Sequence, residues 1–167
     1  MLYIRKTVLT LLAVVAIGAG WLAKTIAQEN SSSPVITYFN HDKVDASFAK
    51  ATSAGGGRVL FARKDGQGKT WTVNTNSRGQ GGEGEVHQHE GWTAVVVVMS
   101  GAATFVTPGT AVAAKTTAPD EFGGQLIGGG ESHRISKGDV IIVPPNAPHS
   151  YKNVEEPFRY LVIQTPL

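Results

Sequence analysis

Short runs rich in β-branched and aromatic residues recur along this chain, each bounded by Gly, Pro, Asn or Ser, and this succession limits its possible folds more than any other feature. The residues within the runs favour strands, and those that bound them favour turns. Only residues 44–51 suggest a helix, of one or two turns, with Asp42 as a candidate N-cap. The predicted strands are residues 35–39, 58–63, 70–75, 83–89, 92–99, 102–106, 133–136, 140–143, 149–153 and 158–164. We therefore predict an all-β sandwich or barrel with little helix.

Three segments carry more specific predictions. Asp65-Gly66 is a strong turn signal and predicts a hairpin between its flanking runs. Residues 95–98 are four consecutive valines, which predict a strand buried on both faces. Residues 108–130 are the least decided part, because Ala111–Ala114 could form a strand whereas the glycine-rich residues 119–130 predict a loop over a barrel mouth.

The first residues resemble an export signal. Arg5-Lys6 precede an uncharged, mostly apolar run over residues 7–23. We expect a signal peptide over residues 1–27, a flexible linker over 28–34, and one exported domain over 35–167, in a periplasm or secreted. The alternative is an uncleaved membrane anchor, although the run falls slightly short of the roughly 20 apolar residues that a spanning helix needs.

Charge and cysteine content exclude several functions. The chain carries 15 basic and 13 acidic residues, and removal of residues 1–27 takes away three basic and no acidic ones, leaving a net charge of −1. No Lys/Arg cluster remains, which argues against a nucleic-acid partner. Cysteine is absent, so thiol catalysis is excluded and any transition metal must be held by nitrogen and oxygen atoms.

Three histidines are the strongest chemical signal. In the run His87-Gln88-His89 the two imidazoles project from the same side of a strand, because successive side chains alternate faces. Both can therefore reach one ion. A third imidazole, His149, follows the proline-rich residues 144–148, and three imidazoles brought together make an open metal site.

The spacing around these histidines resembles the paired motifs of the cupin family. Five residues separate Gly81 from His87-x-His89, and in the second motif Gly138 is followed by Pro144, His149 and Asn153. The resemblance covers roughly residues 81–153. It implies a small jelly-roll β-barrel in which His87, His89 and His149 bind a divalent metal, with a small-molecule substrate entering from one end.

The chain departs from the family pattern at position 94, where the family usually supplies a glutamate ligand and this sequence has Ala94. The resulting neutral site resembles that of the three-histidine cupin dioxygenases, so we expect iron(II), with zinc, manganese and copper as alternatives. Two carboxylates could partly replace this ligand. Glu85 shares parity with His87 and is the candidate general base or substrate contact, whereas Glu90 could turn inward only through a bulge at Gly91.

Several functions remain open on these grounds. The first is a dioxygenase-like oxidoreductase, and its alternative is a non-catalytic module that binds a small sugar or organic acid beside a structural metal. The chain could also form a homodimer. The alternative to a metal site is a metal-free barrel that retains its three histidines. We expect His41 on the surface. For His133 we expect a structural or hydrogen-bonding role, and a position facing the cavity is the alternative. Trp92, Tyr151, Tyr160 and Gln164 are candidates to line a pocket, although we expect the aromatic residues among them in the core by default.

Overall fold

The computed structural model describes residues 36–51, 54–79, 86–107, 109–127 and 130–167. The chain divides into two units, residues 1–38 and residues 39–167, and the second holds every described helix and strand. The predicted signal peptide, the linker and Glu85 lie outside the described residues. None of the helices in the described part is long and apolar enough to cross a membrane.

The described part of the chain forms one helix and nine strands, which confirms the predicted all-β class. The helix, α1, spans His41–Lys50. The strands are β1 (Ala54–Lys64), β2 (Thr70–Arg78), β3 (Val86–His89), β4 (Trp92–Thr107), β5 (Thr110–Ala118), β6 (Glu121–Ile127), β7 (Glu131–Ser136), β8 (Val140–Val143) and β9 (Ser150–Pro166).

Two antiparallel sheets build the barrel. The larger has the order β1-β2-β9-β4-β7, with β8 also paired to β4, and the smaller has the order β3-β6-β5. The predicted hairpin joins β1 to β2, and Asp65 holds its turn by accepting hydrogen bonds through Oδ1 from the backbone N–H of Gln67 and of Lys69. Strands that alternate between two antiparallel sheets define a jelly-roll barrel.

The core lies between the sheets and follows strand periodicity. Ala94, Val96 and Val98 on β4 are buried, whereas Val95 and Val97 point to the other face and are only partly buried. The prediction that residues 95–98 are buried on both faces is therefore wrong. The inner face also holds an aromatic cluster whose neighbouring ring centroids lie 5.0–5.7 Å apart, formed by Phe105, Tyr151, Phe158 and Tyr160.

Glycine geometry explains why β4 is longer than predicted. Ser100-Gly101 was expected to separate two strands, but β4 continues through this position beside β9 with local register shifts. Gly101 has a φ of +71°, a backbone conformation that costs little only for glycine. The chain therefore bulges at Gly101 instead of ending the strand.

Three further boundaries differ from the prediction. Residues 119–130 were expected to be a loop, but residues 121–127 form β6, which pairs with both β3 and β5. Residues 36–40 are irregular rather than an edge strand. The helix begins one turn earlier than expected, because Asn40 rather than Asp42 is the N-cap and accepts a hydrogen bond from the backbone N–H of Lys43 at 3.1 Å.

Candidate metal and ligand site

Backbone pairing sets His87 beside His149. The backbone N–H of each residue donates to the carbonyl oxygen of the other, and both hydrogen bonds measure 2.9 Å. The segment that carries His149 is held further along by Asn146, whose backbone N–H donates to the carbonyl of His89 at 2.6 Å. Residues 146–149 therefore pair with one side of β3, and directly opposed residues in an antiparallel pair point their side chains to the same face.

The three imidazoles meet in one region of the barrel. Their ring centroids are separated by 5.2 Å for His89 and His149, 6.2 Å for His87 and His149, and 6.5 Å for His87 and His89. With a metal–nitrogen bond of about 2.1 Å, two imidazoles that share an ion have centroids about 4.5 to 5.2 Å apart at octahedral and tetrahedral angles. The first pair already meets this separation, and the ring of His87 is about 1 Å too distant. Accordingly, within the described residues no three side chains are already in a ligating arrangement.

The environment keeps two of these rings neutral. Burial lowers the pKa of His89 to about 4, helped by charge repulsion from His149 and then from His87. Burial likewise lowers the pKa of His149 to about 4; a hydrogen bond to Ala147 opposes this lowering, and the charges of His87 and Arg78 add smaller lowering contributions. Both side chains are therefore neutral near pH 7, which is the form of imidazole that binds metals.

Hydrogen bonding fixes one of the rings. Nδ1 of His149 lies 3.0 Å from the carbonyl oxygen of Ala147, and since a carbonyl only accepts, the neutral ring donates through Nδ1 and keeps its lone pair on Nε2. The ring of His149 also stacks on Phe105 at a centroid distance of 5.7 Å. His89 stacks on Trp92 at 4.9 Å, and its buried Nδ1 has no hydrogen-bond partner among the described residues.

The three histidines line a cavity of about 350 Å³. Ala94 lines it as well and is buried, so the position of the absent glutamate does face the site. Of the four candidate pocket residues, Tyr151, Tyr160 and Gln164 contribute to the cavity wall, although the two tyrosines are also part of the core. The other polar side chains on this wall are Asn74, Asn76, Arg78 and Glu121.

One part of the wall is a small hydrogen-bonded network. Oγ1 of Thr72 donates to Oε1 of Gln164 at 2.7 Å, and Nδ2 of Asn74 lies 2.9 Å from Oγ1 of Thr72 and 3.2 Å from Oε1 of Gln164. These bonds hold two amide side chains at the cavity surface, where each amide presents donors and acceptors to a ligand.

A buried arginine supports another part of the wall. The Nε–H of Arg78 donates to the Tyr160 hydroxyl at 2.9 Å, and its guanidinium carbon lies 4.8 Å from the ring centroid of Tyr151. Burial raises the pKa of both tyrosines, while the charge of Arg78 opposes that rise. The two phenols therefore remain protonated and can donate hydrogen bonds.

Sequence reasoning missed Glu121. This residue begins β6, pairs directly with His89, lines the cavity and is partly buried, and burial raises the pKa of its carboxyl group. It was overlooked because its segment was expected to be a loop, and no spacing within the sequence relates position 121 to position 89. Glu90, by contrast, is exposed and does not line the cavity.

The two remaining histidines have the roles expected of them. His41 is exposed on α1, with Nε2 3.3 Å from a carboxylate oxygen of Asp45. His133 is exposed on β7, with Nε2 3.4 Å from a carboxylate oxygen of Glu131. Neither contributes to the cavity.

Comparisons with known proteins agree with this fold. The model of the family described as Cupin domain matches residues 123–164, about a quarter of the chain. The chain is similar to a conserved protein with a double-stranded β-helix domain from Klebsiella pneumoniae, with 19% identity over 81% of this chain and 91% of that one and a TM-score of 0.52. It is also similar to KdgF from Halomonas sp., with 17% identity over 78% of this chain and 95% of that one and a TM-score of 0.54. No functionally curated protein matches the chain significantly.

These findings establish a jelly-roll barrel of the double-stranded β-helix type, and the similarity to the cupin domain model is confined to residues 123–164. At this level of identity the similar structures show the fold alone, and chemistry must be argued from the side chains of the cavity.

Proposed function

We propose that the cavity binds one divalent transition metal through His87, His89 and His149 and uses it to act on a small molecule. The observation that carries the proposal is the convergence of three imidazoles on one cavity, two of them neutral because they are buried. The orphaned Nδ1 of His89 fits this reading, since a buried polar atom without a partner calls for an ion or a bound group. The all-nitrogen donor set suits iron, zinc or copper.

Bound there, iron(II) would supply dioxygen chemistry and zinc would supply Lewis acidity. The residues of the chain would bind and orient the substrate. The Ala147 carbonyl keeps the His149 ring in one tautomer, with Nε2 as the nitrogen that carries the lone pair. Because Ala94 presents only a methyl group at the cavity wall, room remains beside the ion for a small oxygenated substrate.

An iron-dependent dioxygenase-like activity is the first form of this proposal. Three histidines without a carboxylate at position 94 motivate it, because such a ligand set resembles that of the three-histidine cupin dioxygenases. We expect the protein reconstituted anaerobically with iron(II) to consume oxygen with a small diketone, thiol or phenol. If the iron-loaded protein consumed no oxygen with any of the three substrate classes, the dioxygenase form of the proposal would be refuted.

A non-catalytic ligand-binding module is the second form, and the network of Thr72, Asn74 and Gln164 favours it. The fixed amide groups of Asn74 and Gln164 on the cavity wall suit hydroxyl-bearing ligands such as sugars. In this form calorimetry would detect binding of a sugar or an organic acid without turnover, and zinc or copper would be the metal found in the protein.

Metal content tests what both forms share. We expect one equivalent of metal by elemental analysis after dialysis, and loss of most of it in His87→Ala and in His149→Ala. The matched control is His133→Ala, which removes an exposed imidazole outside the cavity and should leave the metal content unchanged. Full metal content in both cavity variants would refute the assigned ligands.

We also propose that the domain works outside the cytoplasm after cleavage behind Ala27. The basic, apolar and polar order of the first 33 residues supports this. Amino-terminal sequencing of protein from the extracytoplasmic fraction should begin at Gln28, and recovery of the intact amino terminus in the membrane fraction would favour an anchor instead.

A further inference from the structure

We propose that Glu121 is a fourth, anionic ligand of this metal, in place of the glutamate that is absent at position 94. The inference rests on the proposed metal site and names a residue that neither the spacing of the motifs nor the family match assigns. It joins two observations, which are the cross-strand pairing of Glu121 with His89 and the cavity wall on which both side chains lie.

Strand register places Glu121 next to a ligand. In the antiparallel pair of β3 and β6, His89 is opposite Glu121 and His87 is opposite Gly123. Directly opposed residues have Cβ atoms about 4.5–5.5 Å apart and share a face of the sheet. The side chain of Glu121 therefore emerges beside His89, and Gly123 adds no side chain that would obstruct His87.

The other side of β3 completes the arrangement. His149 is paired with His87 there, so three adjacent extended segments present His149, then His87 and His89, then Glu121 on one face. An ion between the imidazoles would have the carboxylate of Glu121 on the β6 side. Side-chain rotations, which are common on binding, are needed to close the site.

The backbone around Glu121 is held from two directions. The preceding residue, Asp120, has a φ of +59° and ends the turn between β5 and β6. Its carbonyl accepts a hydrogen bond from the backbone N–H of Glu90 at 3.0 Å, so the turn is attached to the end of β3. A Cβ built on Gly91 would lie 3.0 Å from Oδ2 of Asp120, which shows how closely the two loops pack. The backbone from which the Glu121 side chain extends is therefore held in place.

Charge favours the same assignment. Three neutral imidazoles leave the full +2 charge on the ion, and one carboxylate ligand halves it, as in the common site of two histidines and one glutamate. A partly buried carboxylate is itself costly unless it has a cation to bind. Of the carboxylates in the described residues, only that of Glu121 lines the cavity.

The experiment compares metal binding by the wild-type protein and three carboxamide variants. Glu121→Gln keeps the shape of the side chain and removes its charge. Glu90→Gln removes a charge from an exposed side chain next to His89 but outside the cavity, and Glu131→Gln removes a charge from a second exposed side chain outside the cavity. Each purified protein is titrated with cobalt(II) under competition with a chelator, and the visible absorption of the cobalt complex is recorded with the apparent affinity.

We expect Glu121→Gln to weaken cobalt binding about tenfold or more and to change the position and intensity of the cobalt absorption, because a ligand of the ion has changed. Both controls should keep the wild-type spectrum and affinity within about twofold. An unchanged spectrum and affinity in Glu121→Gln, with a wild-type protein that binds cobalt, would overturn the role of Glu121 and leave the three-histidine site standing. Failure of the wild-type protein itself to bind cobalt would refute the proposed function. If Glu90→Gln lost as much cobalt affinity as Glu121→Gln and neither changed the cobalt spectrum, Glu121 would act only through its charge and not as a ligand. That result would also overturn the inference.

Discussion

Replacement of Gly101 by alanine should destabilise the barrel strongly. Gly101 lies at the bulge in β4 with a φ of +71°. A Cβ built there would lie 2.6 Å from the carbonyl oxygen of Pro157, 2.7 Å from that of Glu155 and 2.8 Å from Cα of Phe158. All three atoms belong to the backbone of β9, so no side-chain rotation can relieve the contact.

Two costs add at this position. An L-residue in the left-handed region costs about 1–2 kcal/mol, and forcing a methyl group into a packed space typically costs about 1–3 kcal/mol. The sum is about 2–5 kcal/mol, which is a large part of the 5–15 kcal/mol that stabilises an ordinary domain. With an m-value of about 2 kcal/mol/M, the urea midpoint should fall by about 1–2.5 M.

Two glycines in the turn between β1 and β2 distinguish the conformational cost from the steric cost. Gly68 has a φ of +81° and no atom within 4 Å of an added Cβ, so Gly68→Ala should cost only the conformational part, about 1 kcal/mol. Gly66 has neither a positive φ nor a close neighbour, and Gly66→Ala should be neutral or slightly stabilising. Urea unfolding followed by circular dichroism gives the three free energies of unfolding. If Gly101→Ala lost no more stability than Gly68→Ala, the argument from the tight β4–β9 contact would be refuted.

Three further predictions follow from the site and the helix. The metal-free protein should lose stability as the pH falls from 6.5 towards 4, because the pKa values of His149 and His89 are about 4 in the folded state and near 6.5 in the unfolded chain, which therefore takes up more protons. His149 accounts for at most about 3 kcal/mol of this loss. A urea midpoint that does not change over this pH range would contradict the burial of the rings. Zinc at a hundred times its Kd should raise the free energy of unfolding by about 2.7 kcal/mol at pH 7.5. This stabilisation should decrease on acidification, because protons compete with zinc for the imidazoles. If zinc stabilised the His87→Ala variant equally, its binding site would lie elsewhere. Asn40→Ala should cost about 1 kcal/mol through loss of the N-cap, measured by thermal unfolding, whereas a larger loss in Asp42→Ala would favour the helix start first expected from the sequence.

Local sequence patterns predict much of the fold. The hairpin at Asp65-Gly66 and the strand at residues 140–143 were predicted with correct placement, because a turn and a short β-branched run are decided by neighbouring residues. The same locality explains the errors. Residues 121–127 contain two glycines and resemble a loop, yet they form β6 because strands on both sides satisfy their backbone hydrogen bonds.

The sequence by itself determined that His87 and His89 share a face, since the alternation of side chains along a strand is a property of the strand alone. It also determined that position 94 offers no carboxylate. Only the tertiary structure decided which segments flank β3, and so brought His149 to one side and Glu121 to the other. It also decided that Val96 is buried while Val95 is not. The physical reason is that pairing partners and the orientation of a sheet toward the core depend on residues far away in the chain, and no local period encodes them.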